Sequence, residues 1–359
     1  MKLRLLSLWT VLLLGCGNGS PAKKAAPADA IAEHTYLTLG GSPQYVEITS
    51  ASARQPVLLF IHGGPGWPQT PMLRALNADL PTGVTLVSWD QRGAGLSYLR
   101  DSTPGNVTLD QIVADGHELT RYLQKRFHQQ KIYLAGFSWG SIIGVRLVQE
   151  YPEDYAGYIG TGQVVNVRRG VSVSREWLRG QMQAAGDTAG LRVLADLARE
   201  KPTQCHGDMA CFIVMHGLLE QYHGATYQPA SNQAVEAAMK RYPDYAAYNW
   251  DRGFEFSVEH LEGDLFNTDL TGVRQLKVPV TLLLGRHDWN VPSVLAAEWL
   301  DSLTAPRKQL VWFEHSGHEV FADEADKFNA AMVELVRPVV NCVGVDWNPG
   351  AGAGHSSRS

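Results

Sequence analysis

Cysteine is scarce, 4 residues in 359, too few for a disulfide-built scaffold, so the fold has to rest on a buried apolar core. Concentrated basic charge is missing as well. Lys and Arg number 31 against 36 Asp and Glu, a formal net charge of −5. That balance argues against a nucleic-acid partner, whose binding draws on clustered Lys and Arg. No internal repeat is visible. The apolar run at the N-terminus, Leu5 to Leu14 broken by Ser7 and Thr10, is too short to cross a bilayer as a helix. What the chain does have is apolar material, 45% of its residues, enough for a sizeable core in a chain long for one compact domain and short for two large ones.

The same N-terminal run carries an address. Lys2 and Arg4 precede it, and it ends in Leu13-Leu14-Gly15-Cys16, which resembles the bacterial lipobox. The resemblance implies a lipoprotein signal peptide over residues 1–15, cleavage before Cys16 and acylation of that cysteine, with two or more acyl chains giving a stable membrane anchor. Gly17 stands where an aspartate commonly retains such proteins in the inner membrane. The expected location is therefore the bacterial cell envelope, at the outer membrane and facing the periplasm. Residues 16–34, rich in Ala, Pro, Gly and Lys, read as a flexible tether. An oxidising periplasm would permit a Cys205–Cys211 disulfide and leave Cys342 alone. Cys205, His206, Cys211 and His216 match no common zinc spacing, so no metal is expected.

Short apolar runs recur through the chain: Val57 to Ile61, Val84 to Trp89, Ile132 to Ala135, Val278 to Leu284 and Leu310 to Phe313. Each reads as a strand buried on both faces. Between the second and third, Leu109, Ile112, Val113, Leu119 and Leu123 fall at helical spacing, and Thr108 with Gln111 offers a capping box. Strands alternating with helices predict a mostly parallel sheet covered on both faces. From about Asn166 to Thr271 the strand signal stops and helical periodicity takes over. The division expected is a sheet domain over residues 35–163 and 272–342, a helical cap over 164–271, and a disordered Gly- and Ser-rich tail over 343–359.

Gly136-Phe137-Ser138-Trp139-Gly140 follows one of these strands and precedes a helical run, the context that a G-x-S-x-G nucleophile turn requires. A serine on such a sharp turn exposes its hydroxyl at the positive end of a helix. His62-Gly63-Gly64-Pro65-Gly66 stands directly after the strand ending at Ile61. Backbone N–H groups in a glycine loop approach a substrate closely, so the N–H of Gly64, or alternatively Gly63, together with that of Trp139 is the expected oxyanion hole.

These two motifs and Asp90-Gln91-Arg92-Gly93-Ala94-Gly95-Leu96-Ser97, in this order and spacing, resemble the proline iminopeptidases. These are cap-bearing serine peptidases of the α/β-hydrolase fold that release N-terminal residues, proline above all. The resemblance covers the sheet domain and is poor over the cap. It implies that Arg92 ties down loops near the site. In this fold the triad order is Ser, then Asp or Glu, then His. Asp288 follows the strand Val278 to Leu284, and His318 follows the strand Leu310 to Phe313 and matches the family's Gly-His element. His315, closer to the strand, reads as a packing residue, as do His62 and His287. Ser138 is thus the expected nucleophile, His318 its base and Asp288 the orienting acid, with no cofactor.

Substrate choice belongs to the cap. The family binds the substrate's ammonium with cap carboxylates, and Glu255 and Glu259 are the candidates here, although Leu261 and Glu262 replace the aromatics of the family's pattern. The expected substrate is a short peptide or small molecule. A carboxylic ester or small amide hydrolase is one alternative; a catalytically silent binding protein of the same fold is another, against which the intact Ser138, Asp288 and His318 set argues. Dehalogenase and epoxide-hydrolase chemistry is disfavoured because those relatives place aspartate at the nucleophile.

Overall fold

The computed structural model describes residues 29–200 and 209–336. The signal peptide, Cys16, Cys205, Cys342 and the tail all lie outside the described residues, so the lipidation site and the Cys205–Cys211 pairing do too.

In chain order the elements are β1 (Ile31–Leu39), β2 (Ser42–Ser50), β3 (Val57–Ile61), α1 (Thr70–Leu76), β4 (Thr85–Trp89), α2 (Gly95–Arg100), α3 (Leu109–Phe127), β5 (Ile132–Phe137), α4 (Trp139–Glu150) and β6 (Tyr155–Thr161). Then come α5 (Val167–Ala185), α6 (Thr188–Glu200), α7 (Met209–Gln221), α8 (Pro229–Arg241) and α9 (Trp250–Phe266). The chain returns to the sheet with β7 (Val280–Gly285), α10 (Ser293–Ser302), β8 (Lys308–Phe313), α11 (Val320–Asp323) and α12 (Ala325–Val336).

Among the described residues, one sheet of 8 strands runs in the order β1-β2-β4-β3-β5-β6-β7-β8. Pairing is antiparallel for β1–β2 and β2–β4 and parallel from β4 to β8. This is the mostly parallel sheet, covered on both faces, that the apolar runs predict. Side chains of alternate residues go to opposite faces: Leu59 and Ile61 of β3 join one core cluster, Leu58 and Phe60 the other. Helices cover both faces, which is why each central strand reads as an uninterrupted apolar run.

Two expectations need correction. Residues 31–34, assigned to the tether, are the first half of β1, paired from Ile31 opposite Ser50. This edge strand is mostly exposed, so it has little apolar signal; its register comes from the Gly40-Gly41 turn. β2 and β6 are likewise absent from the strands expected, because polar residues interrupt the first, SPQYVEITS, and glycines the second, YAGYIGT. The capping box is half realised. Thr108 accepts from the N–H of Gln111, but the Gln111 side chain turns to Asn106 and Asp115 instead of back to the cap.

Between β6 and β7, helices α5 to α9 belong to an insertion over the C-terminal edge of the sheet. Its neck is closed by an antiparallel bridge between Asn166 and Asp269 and by the N–H of Leu270, which donates to the Val165 carbonyl at 2.7 Å. Arg92 is buried in the sheet domain. It holds the Asp115 carboxylate of α3 with two nitrogens and the carbonyls of Leu39, Gly40 and Gly105 with its guanidinium as well, tying the β1–β2 turn to α3.

Candidate active site

β5 delivers Ser138 to the start of α4 with φ 50° and ψ −120°, a positive-φ conformation that ordinary residues avoid. The turn is pinned from both sides. The Ser138 N–H donates to the Thr161 carbonyl at 3.0 Å, and the Ser138 carbonyl accepts from the N–H and hydroxyl of Ser141. The flanking glycines are steric necessities. A Cβ on Gly140 would lie 2.2 Å from the Ile61 carbonyl oxygen, and one on Gly136 would lie 2.6 Å from that of Gly140. The Ser138 hydroxyl is half-exposed, opens onto the cavity beneath the cap, and is engaged by no other group among the described residues.

Asp288 sits in the loop after β7 and His318 in the loop after β8, 30 residues apart in sequence. The structure brings them together: His318 Nδ1 lies 2.8 Å from Asp288 Oδ2, while Asp288 Oδ1 accepts from the Val291 N–H at 2.8 Å. Both side chains are buried. The Asp288 bond occupies Nδ1 and leaves Nε2 as the nitrogen free to take a proton, in a ring that lines the same cavity as Ser138. Burial is the largest single influence on the imidazole and pushes its pKa down. The Asp288 carboxylate, by charge and hydrogen bond, together with Glu319 and Glu220, outweighs it, and the net shift is upward from 6.5. His315, by contrast, is exposed and outside this group.

The glycine loop resolves its own ambiguity. Gly63 donates its N–H to Gln69 Oε1 at 2.6 Å and is taken. Gly64, at φ 106°, keeps an N–H engaged by none of the described residues. Trp139 is the first residue of α4, where an N–H has no intrahelical acceptor. His62 fixes the loop from beneath. Its Nε2 accepts from the Gln91 N–H at 3.0 Å and its Nδ1 donates to the Gly63 carbonyl at 2.8 Å, an arrangement that only the neutral ring allows. Burial pushes its pKa down to about 4, consistent with that tautomer. Gln91 also accepts from the Trp139 indole and donates to the His62 carbonyl, so one side chain links both sources of the oxyanion donors.

Two spaces meet at Ser138. The larger, about 900 Å³, carries Glu220, Glu236, Asp251, Glu255 and Glu319 on its walls. The smaller, about 80 Å³, is walled mainly by Val164, Val165, Val171, Leu265, Val291 and Leu295. Of the two cap carboxylates expected to meet substrate, Glu255 lines the larger cavity. Glu259 does not. Val258 is the last residue of α9 to reach it, and the next position, about 100° further round the helix, is exposed. The cap is bonded directly to the reacting loops: Ala225 accepts from the His318 N–H, Gly224 from the Trp289 N–H, and Tyr248 donates to the Gly66 carbonyl. Gln69, Gln91, Ala225 and Glu319 are positions at the site to which sequence reasoning assigned no role, although Gln91 lies within the Asp90–Ser97 motif. The first three act through contacts made in three dimensions, and the fourth was hidden beside His318.

A serine on a strained strand-to-helix turn, an Asp–His pair and a glycine loop at the C-terminal edge of a parallel sheet define a hydrolase of the α/β type. The family model described as alpha/beta hydrolase fold matches residues 56–325, and the chain belongs to that family. It is 31% identical over 312 residues to a probable aminopeptidase of Bacillus subtilis (strain 168), covering 86% of this chain and 96% of that one. It is 25% identical to a proline iminopeptidase of Neisseria gonorrhoeae, covering 70% and 80%. Among solved structures, a proline iminopeptidase-related protein from Thermus thermophilus superposes with a TM-score of 0.61 at 21% identity, covering 85% of this chain and 96% of that one. That last likeness speaks for the fold alone.

Proposed function

We propose that this protein is a serine hydrolase acting through an acyl-enzyme, and that it releases N-terminal residues from short peptides. The observation that carries this reading is Ser138 on its positive-φ turn, sharing one cavity with a buried imidazole whose other nitrogen is held by Asp288. Ser138 Oγ attacks the scissile carbonyl carbon as His318 Nε2 takes its proton, and Asp288 stabilises the imidazolium. The oxyanion accepts from the N–H groups of Gly64 and Trp139, each contributing about 3–4 kcal/mol. His318 then gives its proton to the leaving amine, the C–N bond breaks, and the acyl group stays on Ser138. Water, deprotonated by the same ring, attacks the ester and releases the amino acid with the serine restored. The small apolar chamber, walled by Val164, Val165, Val171, Leu265, Val291 and Leu295, suits an aliphatic or pyrrolidine side chain. The relatives named as aminopeptidases support the choice of peptide bond.

The test is a panel of amino-acid 4-nitroanilides beside short acyl 4-nitrophenyl esters, combined with fluorophosphonate labelling. Labelling at Ser138 with turnover of alanine or proline anilide is expected. Hydrolysis confined to esters would remove the peptidase reading and leave an esterase, and absence of labelling would remove both.

We also propose that Cys16 anchors the chain to the envelope membrane, on the strength of the Lys2–Cys16 sequence. Expressed in a bacterium, the Cys16→Ser chain is expected to leave the membrane pellet for the soluble fraction. An unchanged distribution would show that lipid at Cys16 is not the anchor.

A further inference from the structure

Of the carboxylates on the larger cavity wall, most are accounted for. Glu220 accepts from the N–H and hydroxyl of Thr226 at 3.1 and 3.0 Å. Glu255 faces Arg252, and with Glu236 and Asp251 it is exposed to solvent. Glu319 is different. It is partly buried, follows His318 directly in the chain, and its carboxylate has neither a hydrogen bond nor an ion pair among the described residues. It occupies the N-cap position of α11, yet its side chain makes no capping bond; it lines the cavity instead. Among the described residues no Lys or Arg lines that cavity.

A partly buried carboxylate with no partner favours either protonation or a cation brought to it. Burial pushes the Glu319 carboxyl up to about 7, with His318 opposing the rise and Asp323 and Glu220 adding to it. With no Lys or Arg among the described residues of the cavity wall, a substrate ammonium is a cation that could meet it there. In an aminopeptidase the free α-ammonium nitrogen lies two bonds, about 2.5 Å, from the carbonyl carbon under attack. It must therefore be received close to Ser138 and His318, and Glu319 follows the imidazole in the chain and lines the cavity that both share.

We propose that Glu319, a residue of the sheet domain and not of the cap, receives the α-ammonium of the residue being released. The assignment rests on the aminopeptidase reading and adds to it the group that makes a free N-terminus a requirement. It also fixes a pH response. Ammonium binding needs the ionised carboxylate, so KM for an amino-acid anilide should rise as pH falls through about 7. The charged or titratable neighbours to be considered are His318 and Asp323 on adjoining positions, and Glu220 and His216 on α7. A neutral ester should show only the kcat limb set by His318.

The experiment compares the full chain with its Glu319→Gln and Glu319→Asp variants on alanine 4-nitroanilide and on 4-nitrophenyl propionate, the latter with the same acyl skeleton and no amine. Glu319→Gln is expected to raise KM for the anilide about 10- to 100-fold, the range for loss of a charge-assisted hydrogen bond. It should flatten the dependence of that KM on pH and leave KM for the ester unchanged, while the kcat limb of both substrates moves down in pH as His318 loses a neighbouring charge. Glu319→Asp should recover part of the loss. Fluorophosphonate labelling at the wild-type rate shows that each variant is folded. An unchanged anilide KM in Glu319→Gln overturns the proposal, as does an equal loss on both substrates, which would mark Glu319 as a support for His318. The aminopeptidase reading is judged separately, by whether the unsubstituted chain cleaves the anilide at all.

Discussion

Replacing Ser138 with Ala is expected to lower kcat by about six orders of magnitude, on the scale seen when a serine nucleophile acting with its base as a unit is removed. KM should change little, because the hydroxyl belongs to the reacting line and the walls of both chambers are untouched. Fold stability should also hold. The Ser138 side chain makes no hydrogen bond among the described residues, and the bonds that pin its turn come from its own N–H and carbonyl. The variant would keep a residual rate about 10³–10⁴ above water, since Gly64 and Trp139 still present their N–H groups. Steady-state kinetics on whichever substrate the unsubstituted chain prefers, with thermal unfolding alongside, reads all of this. A residual kcat within tenfold of the original would put the nucleophile elsewhere and end the acyl-enzyme mechanism. The neighbouring position makes a useful contrast. At Gly140 any side chain meets the Ile61 carbonyl oxygen at 2.2 Å, so a loss there would report on folding and not on chemistry.

Much of the site was legible because its parts are local. G-x-S-x-G is readable since a strand, a turn and a helix are consecutive, and the two glycines are imposed by backbone contacts the turn always makes. Asp288 and His318 could be placed because each follows an apolar strand at the edge where this sheet delivers its residues. What escaped depends on pairing across long separations. β1 reaches back to Ile31 only because β2 offers a partner edge; alone, that segment looks like tether. The choice of Gly64 over Gly63 needed Gln69, six residues on, folding back to take the Gly63 N–H. Glu259 and Glu255 look equivalent at a spacing of four, but the helix turns the first away from the cavity. Glu319 could not be read from any pattern, since its significance lies in what does not bond to it.

Asp288→Asn is expected to cost about 10⁴ in kcat with the architecture of the site intact. The argument is one of hydrogen-bond direction. Asp288 accepts twice, from the Val291 N–H at Oδ1 and from His318 at Oδ2. An asparagine there keeps only one oxygen. If that oxygen stays with Val291, the amide NH2 faces Nδ1, and the ring must accept at Nδ1 and carry its proton on Nε2. That tautomer cannot take the proton of Ser138. The carboxylate also supplies the main part of what outweighs burial at His318, so the imidazole pKa should fall and any remaining activity should extend to lower pH. The sign of the stability effect follows. A histidine raised above its unfolded value of about 6.5 stabilises the fold fully below that value, and the contribution disappears as pH rises through the folded pKa. The difference in unfolding free energy between the two chains should therefore be larger at pH 5 than at pH 8. A variant that kept kcat within tenfold, or whose pH profile did not move, would show that this carboxylate neither orients nor charges the base.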